Sequence, residues 1–434
     1  MDRDACLPTD GRSTRLAEMQ KMQKTGMDAL AVLLLTQGCR SHFPDVPPGY
    51  REFAYVSNGA SNTVSVLDLV YLRPDRTLLV GTHPTGMAVN PKRDEVYVVN
   101  TGTAEGTGSV SVIDTEANQV AATIPVHKLP YFIDVDAAGE RAYVANSGSN
   151  TVSVIDLGRR REIGVVGTGE QPGLARISRD MRSLVVTNRG GGSVSIFAVE
   201  PYATKSEGLG LAARLEPRTE AKERLPHLRA VFTGCPGATD AVILNDSSKA
   251  FIACSGGHQV MAVSLAAAPD SWAAKQNSTL LTDHMLTLMD VGQTPMQLAL
   301  KPDGGEIFCA NFGSDSFSEI ETGTNEVSGT YTIGSKPVYG VVSADNGTLW
   351  VSNFGADSIN LWSIDDSKVG GSVRTGHAPD TLAFSADEHL LLSADARSGE
   401  VTVFRTVPTP GLFTILPTGG SPNDIVVKAM QAKL

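Results

Sequence analysis

A chain of 434 residues with 43 glycines and only 6% aromatic residues is poorly suited to a helical protein with a large aromatic core, and well suited to short strands joined by tight turns. Its formal charge of -11 excludes general nucleic-acid binding, which needs a cationic surface to displace counterions from phosphate. The length would fill two or three ordinary domains, or one closed ring of repeats.

In chain order, Lys21 and Lys24 precede an apolar run at 29–35, too short to span a bilayer but of the size of a signal-peptide core. Gly38 before Cys39 resembles a bacterial lipobox, in which the cysteine is lipidated, although Thr36 stands where that pattern prefers Leu. Residues 1–39 are therefore read as a leader with a lipoprotein signal peptide. Residues 40–52, with Pro44, Pro47, Pro48 and Gly49, are read as a stiff tether.

From residue 53 to 430 one phrase returns: a β-branched pair ending in Asn, a glycine-rich turn, then alternating Val and Ser ending near Asp. It begins at Tyr55, Tyr97, Tyr143, Val185, Phe251, Phe308, Trp350 and Leu392, which makes eight copies. A proline stands sixteen residues before the terminal residue of six of them, as Pro84 does before Asn100, while the fifth has Ala238 there. Between these anchors each unit reads as a β-hairpin, so every repeat is a four-stranded meander. Neither face of such a unit can be buried alone, and neighbours must stack until the ring closes. Pro422 leads a strand with no hairpin after it, and Tyr55 follows no proline-led strand, so each supplies what the other lacks. The expectation is an all-β propeller of eight four-stranded blades, or seven if the divergent fifth copy is an insertion, closed by the C-terminal strand.

The pattern resembles the YVTN-repeat propellers, a family with surface-layer and periplasmic members whose roles differ widely. The resemblance covers about residues 53–430, and implies the fold more strongly than any activity.

Four charges break the apolar rule of the proline-led strands: Asp134, Arg176, Asp240 and Asp424. They are read either as inter-blade ion pairs or as a polar ligand pocket at the mouth of the central channel. His83, His127, His258 and His377 fall on loops of the face that carries the proline anchors. The repeated Asn is expected to bond the backbone of the turn that follows it. Cys235 and Cys254 lie in one blade and could form a cross-strand disulfide or remain two buried thiols, whereas Cys309 reads as an apolar strand residue. Insertions at 200–229 and 266–284 interrupt adjacent blades on the opposite face, and are read either as one protruding partner surface or as solvated excursions with short helical pieces. Neither HExxH, CxxCH, GxSxG nor a P-loop is present, and no metal or cofactor is expected. Only Trp272, Trp350 and Trp362 occur, without the per-blade tryptophan that resemblance to quinoproteins would require.

The expectation is an exported, lipid-anchored module of the periplasm or cell surface, presenting loops to a protein, glycan or small ligand. It would touch the membrane through its anchor only. The alternative is a propeller enzyme of lactonase or redox type, and the expected balance is toward a protein that is not an enzyme.

Overall fold

The computed structural model describes residues 46–200 and 225–430. Cys39, the rest of the leader and most of the tether lie outside them, as does 201–224 of the first insertion. By its contacts the chain divides into Met1–Pro48 and Gly49–Leu434. The second unit contains eight four-stranded antiparallel sheets. Among the described residues no helix is long and apolar enough to cross a membrane.

Blade 1 consists of Arg51–Asn58, Thr63–Asp68 and Arg73–Leu79, with Pro422–Met430 as its innermost strand. The other seven begin with Pro84–Val89, Pro130–Val135, Pro172–Ile177, Ala238–Ile243, Pro295–Leu300, Pro337–Val342 and Pro379–Phe384. The fifth copy is thus a full blade, and the count is eight. Closure runs from Arg51 opposite Met430 to Asn58 opposite Pro422. Arg51 and Glu52, expected in the tether, already belong to the first strand.

Strand burial follows from stacking. The two middle strands of each blade meet a neighbour on both faces, so Tyr55, Val56, Val64 and Val66 are all fully buried. Each such side chain contributes about 1.5–3 kcal/mol. The outer strands touch solvent and alternate, as Glu326–Thr332 does.

The repeated Asn serves a different neighbour from the one expected. In five blades its amide donates to two hydroxyls on the next strand, as Asn146 does to Thr151 (3.2 Å) and Ser153 (2.9 Å). The hydroxyls are the first and third residues of that strand, Thr and Ser in TVSV and two serines in SVSV, so the phrase and its Asn are parts of one buried network. The carbonyl side faces the loop leading to the proline: Gly169 N–H donates to Asn188 at 3.1 Å. A Cβ at Gly169 would lie 2.7 Å from the Asn188 side chain, which is why glycine stands there, three residues before Pro172.

In blade 5 cysteines occupy both positions. Cys235 stands three residues before Ala238, and Cys254 stands where the Asn would be, opposite Ala238. A disulfide joins them, with Cα atoms 4.7 Å apart. A covalent bond therefore takes the place of the glycine–asparagine contact found in five other blades. Replacing both cysteines by Ala is expected to lower stability by about 2–4 kcal/mol, read as a shift in the urea midpoint. An unchanged midpoint would show that packing alone holds this joint. Cys309 is fully buried, and burial pushes its thiol well above the usual range.

The described part of the insertions modifies the expected boundaries. Residues 227–229 belong to the strand His227–Thr233, and the second insertion carries two short helices, Trp272–Gln276 and Ser278–Leu281. Arg229 forms an ion pair with the buried Asp283, tying blade 4 to the end of the blade 5 insertion.

Candidate functional site

Two regions carry chemistry, and the repeat positions both. The first is the wall of the central channel, built from the innermost strands. Their channel edge has no strand partner, so its N–H groups need other acceptors. Side chains from the preceding blade provide them. Asp424 accepts from Met87 N–H at 2.7 Å, Asp240 from Leu298 N–H at 2.9 Å, and Gln297 from Gly340 N–H at 2.8 Å. Asp134 accepts from Ile177 N–H at 3.0 Å, and its other oxygen from its own neighbour Val135. Three of the four charges singled out in sequence therefore bind backbone across a blade boundary.

Arg176, the fourth, lies 3.8 Å from Asp240 and stacks on Phe132 at 5.2 Å. Asp134, Arg176 and Asp240 are brought together; Asp424 belongs to another stretch of wall. Tyr339 lies within the electrostatic reach of Arg176, Asp240, Asp380 and Asp424, so it sits between the two groups. Burial raises the pKa of Asp134 and Asp240 against the opposing pull of Arg176. It raises Asp424 to about 7 and Asp380 to about 6, for Asp380 as the sole cause.

Tyr339 and Asp380 escape a search for charges at fixed offsets. Tyr339 occupies the same offset as Asp240 and Asp424 but carries no charge, and Asp380 sits one position earlier.

Asp380 supplies a stability prediction. Its folded pKa lies above the ordinary value of 3.8, so its stabilising effect is complete below about pH 4 and is lost as pH rises through about 6. The Asp380→Asn protein, which removes that titration, is expected to gain on the parent by about 3 kcal/mol between pH 4 and pH 7.5. Parallel urea midpoints over that interval would mean that the carboxyl is hydrated and unshifted.

The second region is a cavity of about 600 Å³ on the face that carries the proline anchors, where the loops of blades 7 and 8 meet. Its lining includes Lys336, Phe354, Asp357, His377 and Arg397. The turn residue before each third strand explains the arrangement. Asn62, Asn150, Asp315 and Asp357 adopt the left-handed conformation there, and each accepts from a backbone N–H of the next blade, 21 residues on. For Asp357 the donor is Ala378 at 2.8 Å, through Oδ1. Its second oxygen is left to hold His377 Nδ1, also at 2.8 Å. These contacts hold the Asp357 carboxyl below its usual range, the Ala378 N–H first and His377 second.

Ionised Asp357 favours the tautomer with the proton on His377 Nδ1, leaving Nε2 as a free base. Two cations flank the pair: Arg397 stacks on Phe354 at 5.0 Å, and Lys336 on Phe312 at 5.6 Å. Lys336 is itself fixed by its left-handed backbone, whose N–H Asp315 accepts at 2.8 Å. An oriented imidazole base beside two cations can deprotonate water and stabilise an oxyanion.

The other loop histidines do not join this pocket. His127 Nε2 lies 3.5 Å from Glu162, His258 Nδ1 accepts from Thr294 N–H at 3.2 Å, and His83 sits at the approach to blade 2. His377 is thus one of the four histidines noted in sequence, whereas Asp357, Arg397 and Lys336 were missed. The signal for Asp357 was its place before the third strand, which reads as a purely structural turn position.

No curated protein matches the chain. The family model described as lactonase, seven-bladed β-propeller, matches residues 340–427, a stretch that includes Phe354, Asp357, His377 and Arg397. Among solved structures, a dihydro-haem d1 dehydrogenase is 14% identical, with a TM-score of 0.67 over 86% of this chain and 74% of that one. A putative 6-phosphogluconolactonase from Bacteroides fragilis is 14% identical, TM-score 0.57, over 89% and 100%. The periplasmic gluconolactonase of Pseudomonas aeruginosa is 17% identical, TM-score 0.54, over 87% and 98%. At these identities the structural likeness is one of fold. The expectation of a protein that is not an enzyme is nevertheless corrected, because a lactonase family model matches a stretch that contains both residues of the imidazole–carboxylate pair.

Proposed function

We propose that the chain hydrolyses a lactone in the pocket between blades 7 and 8. The observation that carries this reading is the His377–Asp357 pair facing a cavity beside Arg397, inside the segment that matches the lactonase model. In the proposed reaction His377 Nε2 takes a proton from water as the water oxygen attacks the ring carbonyl carbon. Arg397 and Lys336 face the tetrahedral oxyanion. Collapse breaks the ring C–O bond, and the imidazolium returns its proton to the departing alkoxide, giving an open hydroxy acid.

A pH-stat assay of the purified protein on δ- and γ-lactones, glucono-δ-lactone among them, tests this. Acid release several orders of magnitude above the uncatalysed rate is expected on at least one. Rates equal to spontaneous opening on every lactone would sink the proposal. The haem-type alternative rests on likeness of fold alone.

Export is part of the same proposal. The disulfide suits an oxidising compartment, and the apolar run 29–35 before Cys39 suits a lipoprotein leader. Placement among the YVTN-type propellers remains a proposal drawn from the repeat phrase itself.

A further inference from the structure

We infer that the opposite mouth of the channel is a binding site for a small aliphatic carboxylate, held by Arg176 and Arg179. This site is independent of the lactone pocket. A cavity of about 370 Å³ opens where the innermost strands of blades 2 to 5 end, on the face away from the proline anchors.

Its wall mixes the aliphatic side chains of Val89, Val135, Ile177 and Ile243 with the polar Ser178 and Asn245 and the backbone-bonded Asp134. The Arg176 guanidinium lines it, and among the described residues it is held only loosely. Arg176 Nε is buried and has no hydrogen-bond partner among the described residues. Its nearest acid, Asp240, is at 3.8 Å, beyond hydrogen-bond reach, and Asp240 also binds Leu298 N–H. Both oxygens of Asp134 bind backbone N–H groups. The Phe132 ring fixes the plane of the fork.

A buried donor without an acceptor is costly, and a planar fork with free N–H groups matches a carboxylate in two-point fashion. Arg179 stands exposed at the rim of the same cavity, with no ion-pair or hydrogen-bond partner among the described residues. Two guanidinium groups beside the side chains of Val89, Val135, Ile177 and Ile243 suit a carboxylate with a short aliphatic chain, the head on the guanidinium fork and the chain against the aliphatic part of the wall. The excess of acid over base in the chain as a whole makes this a local feature of the mouth.

Isothermal titration with hexanoate, with hexanol and hexylamine as controls, tests the assignment. Hexanoate is expected to bind and the controls not to. Arg179→Ala, a change at an exposed position, is expected to weaken hexanoate at least fivefold. Arg176→Lys, which keeps the charge and loses the fork, is expected to weaken it more. The Lys336→Ala/Arg397→Ala protein, altered only on the other face, is expected to bind hexanoate as the parent does. Absence of hexanoate binding, equal binding of hexanol, full affinity in Arg179→Ala, or loss in the double variant would each overturn the assignment. Should Arg176→Lys fail to fold, Arg179→Ala and the double variant still decide it. Lactone hydrolysis measured on the same proteins keeps the two sites apart, because Arg179→Ala should leave it untouched.

Discussion

Replacing His377 by Ala is expected to lower kcat/KM for lactone hydrolysis by about 10²–10⁴-fold, the usual contribution of a positioned general base. The fold should survive. The His377 side chain is 76% exposed, and surface changes of this kind shift stability by no more than about 0.5 kcal/mol. Its backbone bonds, to Ser398 and from Arg397, are kept in the variant. Asp357→Asn separates orientation from structure: one side-chain oxygen can still accept from Ala378 N–H, while the amide that replaces Oδ2 no longer favours the Nδ1 proton of His377. The expected signature is a fall in kcat with KM little changed. Arg397→Ala should cost about 10²–10³ in kcat, as loss of an oxyanion donor does. Asp380→Asn, on the channel wall, should leave the rate unchanged. Full activity in His377→Ala together with a loss in Asp380→Asn would move the reaction into the channel.

The ring was legible in the sequence because its physics repeats. Every blade must offer two small apolar faces, and in five blades the Asn must find the same two hydroxyls, so the phrase from Tyr143 to Asp156 recurs with little freedom. Even the exception follows the rule: Cys235 and Cys254 occupy the glycine and asparagine positions of a regular blade. The chemistry was less legible. Asp134, Asp240 and Asp424 stood out as buried charges, but their partners are N–H groups of the next blade, which leave no mark in sequence. The His377–Asp357 pair hides for the opposite reason. Asp357 occupies a position where Asn62, Asn150 and Asp315 perform a structural task, and only its second oxygen does something new. Tyr339 was missed because an uncharged side chain at that offset reads as wall.

Ending the chain after Ser421 is expected to abolish folding altogether. The strand Pro422–Met430 completes blade 1 along its whole length and contacts blade 2 as well. Ile425 and Met430 are buried, Asp424 satisfies Met87 N–H, and Lys428 Nζ donates to the carbonyls of Asn90 (3.0 Å) and Arg93 (2.8 Å). At about 1.5–3 kcal/mol for each large apolar side chain and about 1 kcal/mol net for each hydrogen bond, the loss is on the order of 10 kcal/mol. That equals the whole stability of a typical domain. It would also expose the edge of Arg51–Asn58 with Tyr55 and Val56 beside it, an apolar template for aggregation. The expected observation is insoluble or proteolysed protein. Adding a peptide of residues 422–434 during refolding should recover soluble, lactone-hydrolysing protein, because the missing element is a strand that pairs by its backbone. A soluble truncated chain with an undiminished urea midpoint would mean that seven complete blades hold the ring without the eighth's inner strand. In that case the closure would be an ornament of the fold rather than its fastening.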